Sequence, residues 1–173
     1  DFNTSYSRPA DFDDFVKHLH KVKTAHYTAM LAAGQIPLRP GIERLISDAH
    51  RAGIRLAIAT TTSPENVAGL LEVGLGKDWQ RYFDSVGCGD IVPHKKPAPD
   101  IYNWVLAELK LTPQDCIALE DSSNGLRSAL AAGIKTYITT NPYTHRQDFA
   151  DAAAVFDDLS DLANFYRVTG LRI

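Results

Sequence analysis

Short apolar runs that alternate with helical patterns from Gly41 onward predict an α/β fold, a parallel sheet flanked by helices. Two further observations support it. The apolar runs around Leu56–Ala59 and Cys116–Leu119 both end abruptly in polar clusters, at the carboxyl ends of strands where open α/β sheets hold their ligands. Helix patterns are punctuated by glycine at Gly53 and Gly133, each followed at once by another apolar run.

The elements follow in order. Asp13 or Asp14 can cap a helix over Phe15–Ala33, with Phe15, Leu19, Val22 and Tyr27 at helical spacing and Gly34 to end it. The segment Ile36 to Gly41 carries Pro37 and Pro40, so it cannot be helix interior and reads as a hinge. A helix over Ile42–Ala52 leads to a strand over Ile54–Ala59, and Ser63-Pro64-Glu65 starts the next helix with a cap and an N1 proline. Phe83–Gly87 is a short strand, Pro99–Leu109 a helix and Cys116–Leu119 a strand. A helix over Ser123–Ala132, strands over Ile134–Thr139 and Ala153–Phe156, and a helix over Leu159–Tyr166 complete the pattern. Residues 1–38 therefore read as a helical segment with its hinge, and 39–173 as the α/β core.

At 173 residues the chain suits one domain with a sizeable core, or one domain with an appendage. A net charge of -3 argues against nucleic acid or an anionic membrane surface as partner and leaves small molecules. No run is long and apolar enough to span a bilayer, and the first residues lack the basic and apolar regions of a signal peptide. Cys88 and Cys116 have no metal-ligand spacing and adjoin apolar runs, as expected of reduced thiols in a cytoplasmic protein.

Three clusters carry chemistry. Thr60, Thr61 and Thr62 end an apolar run just before a helix start, offering hydroxyls and backbone amides. Lys95 and Lys96 lie in the proline-stiffened loop HKKPAPD; Lys96 precedes Pro97 and is the site residue, whereas Lys95 is expected to face water. Glu120 and Asp121 end a buried strand as a carboxylate pair suited to a divalent metal. Hydroxyls, a fixed ammonium and paired carboxylates together suit a phosphate and its Mg²⁺, because phosphoryl transfer depends on positioning and charge neutralisation. Ser122 and Asn124 can orient a ligand or cap the next helix, and His94 can face a substrate or water. Arg39, Tyr143 and Thr144 have no assigned role, and the six histidines form no ligand constellation.

The motifs IPLRPG, LAIATTTSPEN, KKPAPDIY and LEDSSNGL, in this order, resemble the haloacid-dehalogenase superfamily of aspartate-based phosphohydrolases. They are most similar to the branch containing β-phosphoglucomutase and the CbbY-type sugar-phosphate phosphatases, over about Phe15 to Asp158. The resemblance implies a Rossmann-like core with a remnant of a helical cap. It places the phosphate on Thr60, the Thr61 amide and Lys96, with Thr60 and Lys96 in the catalytic set, and Mg²⁺ on Glu120 and Asp121. The implied activity is hydrolysis of a small sugar phosphate or bisphosphate through an aspartyl phosphate.

One departure is large. The family's first strand ends in a DxDx[TV] motif supplying nucleophile and general acid-base. Here Asp11-Phe12-Asp13 has the bare spacing, but Pro9 precedes it, no apolar run leads into it and an amphipathic helix follows. The chain is therefore expected to lack the nucleophile strand and most of the cap, and to be inactive as it stands. Phosphomutase action on the same site and a non-catalytic phosphate- or metal-binding module are the alternatives. A receiver-like signalling domain fits less well, because the lysine precedes the acid pair.

Overall fold

The hinge prolines lie where the chain divides into two units, residues 1–37 and Leu38–Ile173, in the computed structural model, which describes residues 11–173. Residues 1–10 of the expected 1–38 segment, Pro9 among them, lie outside the described residues.

Among its described residues the first unit has one long helix, α1 (Phe12–Ala32). It begins three residues before the expected start, with Asp11 at the N-cap making no side-chain capping bond. Asp13 and Asp14 are not caps; they occupy the first turn, where carboxylates complement the helix dipole. Asp11-Phe12-Asp13 thus lies at the opening of a helix.

The second unit runs α2 (Ile42–Arg51), β1 (Ala57–Ala59), α3 (Pro64–Leu75), β2 (Ser85–Gly87), α4 (Asp100–Leu109), β3 (Ile117–Glu120), α5 (Ser123–Ala131), β4 (Lys135–Thr139), β5 (Ala154–Phe156) and α6 (Leu162–Thr169). All pairings are parallel: Ala57 lies beside Ser85, Ile117 beside Lys135 and Tyr137 beside Ala154. The strands form two pieces, β1-β2 and β3-β4-β5, and among the described residues no strand pairs with the second edge of β1 or of β3. This explains why both apolar strands are less covered than their composition predicts, with Ala57 exposed and Ile117 37% exposed. In contrast β4, flanked on both sides, is buried from Thr136 to Thr139.

Several strands are shorter than the apolar runs that contain them. The run Ile54–Ala59 pairs only from Ala57, because β2 offers three partners and Asp84 instead ties off Leu56 through its backbone N–H and its carboxylate. The last helix starts at Leu162, not Leu159, because Asp161 accepts the Asn164 N–H and caps it there.

Apolar clusters fix the strands against the helices. Ile101, Tyr102 and Leu106 of α4 pack with Ala118 of β3 and Ala129 of α5. Phe165 of α6 meets Phe156 and Tyr137 edge-on at ring-centroid distances of 5.4 and 6.2 Å. Gly41 joins the hinge to this core. Its φ is +81°, and a Cβ there would sit 1.9 Å from the Leu159 carbonyl oxygen, so only glycine fits.

Candidate active site

The carboxyl ends of β1 and β3 carry the three chemistry-bearing clusters. Past Ala59, the Thr60 N–H still pairs with the Gly87 carbonyl at 2.8 Å, which holds the hydroxyl turn at the strand end. The Thr60 hydroxyl oxygen accepts the Thr62 N–H at 3.2 Å and so keeps its own hydrogen to donate. Ser63 caps α3 by accepting the Asn66 N–H, and Asn66 also donates its side-chain amide to the Thr62 hydroxyl at 3.1 Å. The turn is therefore preorganised by its own bonds, with Thr60 and Thr61 half-buried at its mouth.

Lys96 connects the two sheet pieces. Its Nζ donates to the Ala59 carbonyl at 2.8 Å and to Glu120 Oε1 at 2.5 Å, with the two side chains only 16% and 9% exposed. Thr60 follows Ala59 and Asp121 follows Glu120, so a single ammonium brings all three sequence motifs together. The Lys96–Pro97 peptide is cis, and Ser128 of α5 donates its hydroxyl to the Ala98 carbonyl at 2.6 Å, holding the lysine loop to the core.

Lys95 turns outward to Asp90, as expected. His94 binds Asp100 at 2.8 Å and is mostly exposed, so among the described residues it is occupied with the start of α4.

Glu120 and Asp121 occupy very different surroundings. Glu120 Oε1 also accepts the hydroxyl of Tyr102, whose ring lies 4.9 Å from the Lys96 ammonium. Burial and the Glu120 carboxylate push the Tyr102 phenol far above its ordinary range, so it remains a donor. Asp121 is exposed, and its Oδ2 accepts the Asn141 side-chain amide at 3.2 Å. Asn141 in turn accepts the Tyr143 N–H at 2.8 Å, while its own N–H reaches the buried Thr144 hydroxyl.

Tyr102 and Asn141 are the site residues that sequence reasoning missed. Tyr102 lies six residues after Lys96 in the first turn of α4; Asn141 lies two residues past the end of β4, whereas Asp121 directly follows β3. Other readings resolve into structural roles. Ser122 caps α5 by accepting the Gly125 N–H, and Asn124 accepts from Arg127. Arg39 spends its guanidinium on Thr139, Thr140 and Asp157, with a carbonyl of each and the Thr139 hydroxyl. Tyr143 is 93% exposed.

Among the described residues no three His, Cys, Asp or Glu side chains converge as a metal cage. The donors present are hard oxygens from one or two carboxylates, a set that Mg²⁺ accepts when water and substrate phosphate complete its shell. Hydroxyl donor, ammonium and carboxylate at one sheet end can bind a phosphate with a cation.

A family model for haloacid dehalogenase-like hydrolases matches residues 6–133. The chain is 45% identical over 147 residues to Protein CbbY of Cereibacter sphaeroides, covering 85% of this chain and 64% of that protein. It is 33% identical over 123 residues to the phosphorylated carbohydrates phosphatase of Thermotoga maritima, covering 71% of this chain and 53% of the other. The crystal structure of a mutant CbbY from Rhodobacter sphaeroides in complex with xylulose-(1,5)bisphosphate matches with a TM-score of 0.79 at 45% identity, over 85% of this chain and 65% of that one. The chain thus spans less than two thirds of the length of these relatives.

Proposed function

Because the chain belongs to the haloacid dehalogenase-like hydrolase family, we propose that its protein is a Mg²⁺-dependent phosphatase of a small phosphorylated sugar, a bisphosphate above all. The observation that carries this reading is the Lys96 ammonium, bonded at once to the end of β1 and to the carboxylate that ends β3. The names of two relatives support the substrate class, one solved with a sugar bisphosphate and one a phosphatase of phosphorylated carbohydrates.

In the proposed reaction the phosphoryl group lies between the Thr60–Thr62 turn and Lys96. The Thr60 hydroxyl and the Thr61 N–H donate to its oxygens, and Lys96 offsets the charge that builds on them as the bond to the sugar oxygen breaks. Mg²⁺, held by Asp121 and Glu120, would supply further charge neutralisation at the same oxygens. The nucleophile is an aspartate of the full-length protein outside the described residues, forming an aspartyl phosphate that water hydrolyses. Among the described residues one edge of β1 and one of β3 are unpaired, which supports the idea that a further strand carries it.

The test is phosphate release by the full-length protein from a panel of sugar mono- and bisphosphates with Mg²⁺. Asp121→Asn and Lys96→Ala are each expected to lower kcat by about a hundredfold or more with the circular dichroism spectrum retained. The 173-residue chain alone is expected to release phosphate at background, and a rate abolished by Asp11→Asn would overturn the assignment of the nucleophile. Conversion of substrate to an isomeric sugar phosphate without phosphate release would replace phosphatase by mutase.

A further inference from the structure

We infer that Ser128, a buried serine of α5, is a positioning residue for the reaction: its hydroxyl pins the turn that carries Lys96, and it acts on catalysis only through that ammonium. The inference rests on the phosphatase reading, in which Lys96 offsets charge at the transferred phosphoryl group, and it adds a residue that no motif contains.

Ser128 is fully buried, and Ala129 and Ala132 beside it join the apolar cluster of Ile101 and Leu106. Alanine is the better helix former and needs no partner in such an interior, so a serine here calls for a polar reason. A serine inside a helix ordinarily returns its hydroxyl to a carbonyl one turn back. Ser128 instead donates to the Ala98 carbonyl at 2.6 Å, 30 residues away in the chain. Ala98 closes the lysine turn, its N–H donating to the Lys95 carbonyl at 3.0 Å with Lys96 and Pro97 between them.

The other side-chain ties of this loop are at the surface. Lys95 pairs with Asp90 and His94 with Asp100, but the first pair is open to water on both sides and the His94 side chain is 74% exposed. Such pairs hold a backbone weakly. A lysine side chain is long and flexible, so its ammonium keeps one position only where the backbone beneath it is fixed. The buried Ser128 bond supplies that fixity from α5, which begins two residues after Asp121. One helix therefore sets the register of the lysine turn against the end of β3.

The test uses full-length protein as wild type, S128A and S128C, with kcat and KM measured on the sugar phosphate of the panel that the wild type hydrolyses fastest. S128A removes the hydroxyl and is expected to lower kcat about fivefold to tenfold with KM within about twofold. S128C keeps a weak donor of similar size and should lie between the two. In the Lys96→Ala background S128A should change the residual rate by less than about twofold, since the group it positions is gone. A Ser128 that served stability alone would lower the urea midpoint and leave kcat of the folded enzyme unchanged. That result, or a fivefold fall that persists in the Lys96→Ala background, overturns this inference alone. A wild type that releases phosphate from no member of the panel overturns the proposed function with it. Should S128A not fold, S128C decides, and a kcat equal to wild type refutes the role of Ser128.

Discussion

Gly125→Ala sets two effects of opposite sign against each other. Gly125 lies inside α5 without a left-handed backbone, so alanine is sterically allowed in the helix and by propensity alone should stabilise it by about 1 kcal/mol. The new Cβ would meet Glu120 Oε2 at 1.9 Å, Cδ at 2.3 Å and Oε1 at 2.8 Å, well inside ordinary contact. Were Glu120 a free side chain, it would swing away at little cost. Here it is bonded to Lys96 and Tyr102, and moving far enough to clear the methyl group breaks one or both bonds. Hydrogen bonds involving charged groups contribute about 1.5–3 kcal/mol each, and little solvent reaches the pair to replace them. The expected net effect of Gly125→Ala is therefore a loss of about 0.5–5 kcal/mol, together with a fall in kcat as Lys96 loses its fixed partner. Urea unfolding of the full-length protein at neutral pH measures the first and phosphate release the second. A variant about 1 kcal/mol more stable than wild type, with unchanged kcat, would mean that Glu120 moves freely and that the clamp does not exist.

Two further outcomes test the frame around the site. Arg39→Ala removes guanidinium bonds to three backbone carbonyls that close the ends of β4 and β5, and should cost about 2–4 kcal/mol in urea unfolding, with lysine recovering only part. A midpoint within error of wild type would mean that water substitutes for it. Asp48 of α2, buried and bonded first by Arg51 and then by the Tyr166 hydroxyl of α6, has its carboxyl held below the usual range. Its contribution is present above the unfolded-state value near 4 and is lost as pH falls through the lower folded value. Asp48→Asn should therefore flatten the acid limb of stability against pH, and an unchanged slope below pH 4 would refute that role.

How much of this was legible beforehand depended on range. Strand ends announce themselves locally, since an apolar run of the right length must stop where its polar residues begin. Thr60, Lys96, Glu120 and Asp121 were therefore readable as one constellation from order and residue type. The capping by Ser63 and Ser122 is equally local, a bond to an N–H three residues on. Strand lengths were less legible, because a run such as Ile54–Ala59 pairs only as far as its neighbour β2 extends.

The division of labour inside the site was decided by tertiary structure alone. Glu120 and Asp121 are adjacent and chemically alike, yet successive residues at a strand end project in different directions. One meets an ammonium 24 residues away and a phenol 18 away; the other meets an amide 20 residues on. Arg39 tells the same story, its partners lying 100 to 118 residues later in the chain. Sequence determined which groups collect at the sheet's carboxyl end, because periodicity and strand termination are short-range. Only the fold determined which of them neutralise one another and which remain for a ligand, because that depends on contacts whose separation along the chain carries no local signal.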